Sequence, residues 1–148
     1  MKLSMQWTQG MHFDSQPEGG NPMVFDAKPP LGKGDGYTPK EAVALAMAGC
    51  TAMDVIALMK KFKQEVTSFQ VEAEVEVRKA SYPNVFEKAE LHFYLEGTVD
   101  PEKAIEAVRR SQTQYCAVSA MLSKAFPIFY HVYVNGERVG SGQAQFDF

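Results

Sequence analysis

The sequence predicts an α+β fold built around one long helix, on three observations. Residues 42–59, AVALAMAGCTAMDVIALM, are apolar almost all round and lie between a strong helix start and a lysine-rich helix end. Two stretches, 69–78 and 90–97, alternate apolar and polar residues as half-solvated strands do. Residues 128–139 form a third strand-like run that contains the tight-turn pair Asn135 and Gly136. The predicted order is β–β–α–β–β–α–α–β–β, in a single domain over 1–148.

In chain order, residues 2–8 alternate loosely and read as a strand. Turn residues at Pro17–Gly20 and an apolar patch at Met23–Phe25 then suggest an N-terminal hairpin or meander. The loop PPLGKGDGYTP, 29–39, carries glycines at 32, 34 and 36. It lacks the G-x-x-x-x-G-K-[ST] spacing of a phosphate loop, and no clear strand leads into it. Thr38, Pro39 and Glu41 fit the N-cap, N1 and N3 positions of a capping box that opens the long helix. Lys60, Lys61 and Lys63 complement the dipole at its other end. In 69–78, Val71, Ala73, Val75 and Val77 face one way, and Glu72, Glu74, Glu76 and Arg78 the other. Leu91, Phe93 and Leu95 mark the core side of 90–97. Asp100 and Pro101 open a helix over 100–110 with Ile105 and Val108 inward. A further helix is expected over 113–126, stopped by Pro127. A helix apolar on all faces needs cover on all faces, and one modest sheet with two short helices supplies too little. A second copy of the chain is the expected cover.

Composition narrows the function classes. The net charge of −3 and pI near 5.6 leave no basic excess for nucleic acid. Two cysteines do not make a secreted disulfide framework, and the first ten residues lack a signal-peptide h-region. The long helix is interrupted by Asp54 and reads as a core helix rather than a membrane span. A cytoplasmic protein is the expectation, with no nucleic-acid and no membrane partner.

The chemistry candidates are the two cysteines, 66 positions apart. They form no CxxC pair. No histidine stands one helical turn from either, so a metal site would need His12, His92 or His131 to converge on them through the fold. No metal and no cofactor is expected. Cys50 is either a small apolar filler or a nucleophile in dry surroundings; Asp54, one turn away, would push its pKa up. Cys116 falls at N3 if Thr113 is the N-cap, where N–H groups and the helix dipole favour a thiolate, with Arg109 and Arg110 close in sequence. Local electrostatics thus rank Cys116 above Cys50 as the thiolate. Glu41 precedes Cys50 by nine residues, about 13.5 Å along a straight helix and on its opposite side. The two therefore cannot touch within one straight helix.

YTPKEAVALAMAGCTAMDVIALMKK (37–61) resembles the first cysteine block of the OsmC/Ohr superfamily, the osmotically induced and organic hydroperoxide resistance proteins. AVRRSQTQYCAVSAML (107–122) resembles its second cysteine block, and RKASYPNVFEKAELHFYLEG (78–97) the strand pair between them. The resemblance implies an OsmC-like fold with antiparallel sheets packed around a long buried cysteine-bearing helix, in an intertwined homodimer. It implies a thiol peroxidase acting on organic hydroperoxides, and on hydrogen peroxide as a further substrate. Cys50 would be the peroxidatic cysteine and Cys116 the resolving one. An external dithiol, such as a lipoylated protein, would be the reductant. Known members also carry an N-terminal arginine paired with a helix-start glutamate. Here no arginine precedes Arg78, so His12, Lys28 and Lys33 are the N-terminal residues that would stand in for it. Glu41 stands one residue beyond the matching glutamate position, and Arg78 is the arginine that would supply a thiolate-stabilising charge. The competing expectation is a non-catalytic dimer that senses oxidation or holds an apolar ligand.

Overall fold

Local rules decide both ends of the longest helix. In the computed structural model, which describes residues 1–16 and 20–147, α1 spans Pro39–Lys61. At its start the Glu41 N–H donates to Thr38 Oγ1 at 3.3 Å, and the Thr38 N–H donates to Glu41 Oε2 at 2.8 Å. This is the reciprocal capping box that the sequence predicts. At its end Lys63 adopts φ +58°. The N–H groups of Lys63 and Gln64 return to the carbonyls of Lys60 and Met59, each at 3.0 Å. That is a Schellman closure with lysine at the left-handed position.

The chain forms two compact units, 1–43 and 44–148. The first holds β1 (Met5–Gln9), β2 (His12–Ser15) and β3 (Val24–Phe25), an antiparallel sheet in that order. The turn expected at Pro17–Gly20 falls largely on residues 17–19, outside the described residues. Asp26, almost wholly buried, organises the glycine-rich loop. Its Oδ2 accepts the N–H groups of Lys33, Gly34 and Asp35 at 3.0, 2.9 and 3.1 Å, and its Oδ1 that of Ala27 at 2.8 Å. The N–H groups that gave this loop the look of a phosphate cradle already serve a carboxylate of the chain itself.

The second unit holds a four-stranded sheet in the order β4 (Glu65–Val77), β5 (Phe86–Thr98), β6 (Ile128–Val134), β7 (Glu137–Gln143). The alternating stretch at 69–78 is the latter part of β4, with Arg78 just past its end, and 90–97 lies within β5; the two strands pair antiparallel. The sheet is not antiparallel throughout: β5 and β6 run parallel, with His92 opposite His131. The helical segment between them returns the chain to the edge from which β5 began, which makes a parallel pair. α2 (Pro101–Arg110) starts as expected, with Asp100 accepting the Glu102 N–H. Asn135 and Gly136 both have positive φ at the β6–β7 hairpin, as a type I′ turn requires.

One core cluster joins Met47, Val55 and Met59 of α1 to Leu91, Phe93 and Leu95 of β5, Ile128 and Val132 of β6, and Ala104, Ala107 and Val108 of α2. α1 is long and apolar enough to cross a membrane by length and composition, yet this face of it is packed into the protein core. Within one chain it is not covered all round: Leu45 and Met53 are exposed, as the sequence reading expected of a single copy.

Candidate functional site: two thiols and a carboxyl

The helical segment that follows β5 departs from the sequence reading. A helix with Thr113 as N-cap and Cys116 at N3 is not formed. Residues Ser111–Tyr115 make one π turn after α2, closed by the Cys116 N–H on the Ser111 carbonyl at 2.9 Å. α3 covers only Ala117–Leu122, and Cys116 is its N-cap, its sulfur accepting the Ser119 N–H at 3.3 Å. The extra residue in the π turn breaks the helical register; π turns of this kind recur at functional sites. Ser111, Gln112, Cys116 and Ser119 all end fully buried.

This places Cys116 against Cys50. The two sulfurs and a carboxylate oxygen of Asp54 all lie within 4.8 Å of one another. Cys50 and Asp54 are one turn apart on α1, on the flank of the helix that meets the π turn. Cys50 is half-buried and Cys116 fully buried. Burial pushes the Cys116 thiol up to about 11; the Ser119 hydrogen bonds oppose this, and the Cys50 sulfur adds to it. The thiolate that local electrostatics favoured at Cys116 is not what burial allows: Cys116 is held as a thiol. Desolvation outweighs a dipole of which Cys116 is only the cap.

A file of buried polar groups runs beside the sulfurs. The Gln112 amide donates to Thr51 Oγ1 at 2.9 Å and to Ser119 Oγ at 3.2 Å. The Thr51 and Ser111 hydroxyls are 2.7 Å apart, and Ser111 donates to Asp54 Oδ2 at 3.0 Å. Burial raises the Asp54 carboxyl above its ordinary value, and the Ser111 hydrogen bond offsets this only in part. Sequence reasoning treated Asp54 as a hindrance and passed over Thr51, Ser111 and Gln112. The available signal was the polar run SQTQ inside a helical pattern. A cleft of about 470 Å³ opens beside Cys116, lined by Tyr115, Ala117, Ala120 and Phe146 among others.

The remaining expected site residues are held by other partners. Arg78, just past the end of β4, is held by Glu87 at 2.8 Å. Arg109 and Arg110 both bond Glu106, which they draw down to about 2. In the N-terminal unit Glu41 pairs through its second oxygen with Lys28 at 3.1 Å. Thr38 first and then Lys28 keep its carboxyl below the usual range. The cation that Glu41 meets is thus a lysine. His12 lies 3.4 Å from Asp14.

His92 and His131 do not converge on the cysteines. His92 and His131 stack with ring centroids 4.8 Å apart and meet Glu90 on the opposite face of the sheet. Those three donors could hold a cation by spacing. However, Lys88 already pairs with Glu90, and Arg138 bonds His131 Nδ1 at 2.7 Å.

Comparison with known proteins bears on this geometry. The model of the family described as OsmC-like protein matches residues 32–130. Protein YhfA of Escherichia coli (strain K12) is 32% identical over 130 residues, spanning 86% of this chain and 93% of that protein. A hypothetical protein from Aquifex aeolicus VF5 superposes with a TM-score of 0.77 at 23% identity, over 90% of this chain and 96% of that one. An organic hydroperoxide resistance protein from Elizabethkingia anophelis superposes with a TM-score of 0.69 at 19% identity, over 91% and 97%. At these two identities the likeness is one of fold.

Proposed function

Because the chain belongs to the OsmC-like family, we propose that it is a cysteine peroxidase that reduces organic hydroperoxides. The Cys50 thiolate attacks the outer peroxide oxygen, the alcohol leaves, and a sulfenic acid remains on Cys50. The Cys116 thiol then displaces water to form the Cys50–Cys116 disulfide. An external dithiol, of which a lipoylated protein is one form, reduces it by exchange.

The observation that carries this reading is the meeting of two sulfurs, 66 residues apart in sequence, within 4.8 Å. Closing that gap to a bond of about 2.05 Å asks for side-chain movement rather than unfolding. Unequal burial supports the order of events: the half-buried thiol meets peroxide, and the enclosed, protonated one waits. The hydroperoxide resistance named for the Elizabethkingia anophelis protein of the same fold supports the substrate class. The reading includes a homodimer formed through the exposed side of α1. It gives Glu41 a capping and Lys28-pairing role. A thiol pair that cycles in this way suits a reducing compartment.

Reduced protein mixed with cumene hydroperoxide and a dithiol should consume many peroxides per chain, with formation of the intramolecular disulfide. Cys50→Ser should abolish consumption. Cys116→Ser should leave a first turnover that ends in a sulfenic acid trapped by dimedone. Consumption that stops at one peroxide per thiol pair in the wild type would instead identify a redox sensor.

A further inference from the structure

The cycle just described moves protons as well as electrons, and the cations near the site are engaged elsewhere. Glu87 holds Arg78, and Glu106 holds Arg109 and Arg110. Among the described residues, Asp54 is the one carboxylate or imidazole that shares the 4.8 Å neighbourhood of both sulfurs. From the elements packed around it, α1 presents Cys50, the π turn presents the Ser111 hydroxyl, and the cap of α3 presents Cys116.

Resting on the peroxidase reading, we propose that Asp54 is the proton carrier of the reaction: it takes the proton of the attacking thiol and delivers it to the departing oxygen. In the first step the Cys50 proton passes to the carboxylate, and the thiolate attacks the outer oxygen of ROOH. The S–O bond forms as the O–O bond breaks. The alkoxide takes the proton from Asp54, giving Cys50–SOH, ROH and a carboxylate again. In the second step the carboxylate takes the Cys116 proton. That sulfur attacks the Cys50 sulfur, and the departing hydroxide recovers the proton as water. Each step returns Asp54 to its starting form, with sulfur oxidised and peroxide oxygen reduced.

Two features of the structure support this role. Points within 4.8 Å of one another can both be touched by a single oxygen atom placed between them, as the departing oxygen must be. The hydroxyl file also has a direction. Gln112 donates to Thr51, which leaves Thr51 to donate to Ser111 and Ser111 to Asp54 Oδ2. The file fixes one carboxylate oxygen and polarises it, while among the described residues no hydrogen bond ties Oδ1. The raised carboxyl of Asp54 then lies nearer the working range for proton exchange with a thiol.

The choice of leaving group tests the role. Cumyl alkoxide needs a proton in order to leave; acetate, released from peracetic acid, does not. Asp54→Asn keeps the Ser111 hydrogen bond and cannot carry a proton. Its kcat/KM should fall about 10²- to 10⁴-fold with cumene hydroperoxide and by a clearly smaller factor with peracetic acid, which still needs the thiol proton taken but no proton delivered to its leaving group. Asp54→Glu should restore part of the cumene rate. Equal losses with both oxidants, or no loss with either, overturn the role of Asp54 while the peroxidase reading stands. A wild type inert toward both oxidants, or a Cys50→Ser variant as fast as wild type, overturns the peroxidase reading and the proton carrier with it.

Discussion

Asp26 bears more of the N-terminal unit's order than any motif there suggested. Burial alone would raise its carboxyl. The N–H groups of Asp35, Lys33, Ala27 and Gly34 more than offset this and leave it below its ordinary value. A carboxyl depressed by folding contributes stability that is full above its unfolded pKa, near 3.8. That contribution is lost as pH falls through the lower folded value. Amide exchange measures this residue by residue. Lys33, Gly34 and Asp35 should stay protected on acidification below the ordinary carboxylate range and open together only at lower pH. Asp26→Asn puts an NH₂ group where one of the two accepting oxygens stood, so the same three amides should lose protection already at neutral pH. Unchanged exchange in the variant would mean that the loop is held by its own backbone. The loop's glycines were legible in the sequence, but their purpose was not. Asp26 reaches partners seven to nine residues ahead, and no motif encodes that span. Thr38 and Glu41, by contrast, are three apart and bond reciprocally, so local spacing was enough to find them.

Among the elements, the joint between α1 and the π turn decides whether two distant thiols form a site. Thr51 is fully buried there, accepts from Gln112 and bonds Ser111. Thr51→Val keeps the shape and removes the hydroxyl, so it leaves one Gln112 donor and the Ser111 hydroxyl short of a partner. The expected cost is about 1–3 kcal/mol, read from the urea midpoint at constant m-value. A loss below about 0.5 kcal/mol, the low end of a single net hydrogen bond, would show that the file contributes little to folding. The elements differ in how far they could be read ahead. The helix caps at Thr38 and Asp100, the alternation of β4 and β5, and the turn at Asn135 and Gly136 are local patterns, and each stands where the sequence placed it. The parallel pairing of β5 with β6 depends on where the intervening segment returns the chain. The π turn depends on one extra residue accommodated by tertiary packing, which made Cys116 a cap and buried it. For the same reason both cysteines could be named from the sequence, and Asp54 could be seen beside Cys50, but the polar file that ties Asp54 to Gln112 could not.

At the scale of the whole molecule, the exposed side of α1 carries the argument for a second copy. Leu45 and Met53 are 47% and 74% exposed, large apolar side chains that a stable surface seldom presents together on one helix. Gly49 lies between them, one turn from each, and a Cβ built on it would meet nothing within 4 Å. Within one chain, then, nothing requires glycine there, and it costs a helix interior about 1 kcal/mol relative to alanine. Close approach of a neighbouring surface is the physical reason to keep it, and the homodimer proposed above provides one. Gly49→Leu separates the two contributions. It removes the helical cost of glycine within the chain but places a bulky side chain where the second copy would pack. Sedimentation should show the wild type as a dimer and Gly49→Leu and Met53→Glu as monomers. The rise of the wild-type Tm with protein concentration, which mass action requires of a dimer that unfolds to separate chains, should vanish in both variants. A Gly49→Leu protein that remains a dimer, with a Tm that still climbs with concentration, would place the interface on another surface and leave this side of α1 exposed in the assembly.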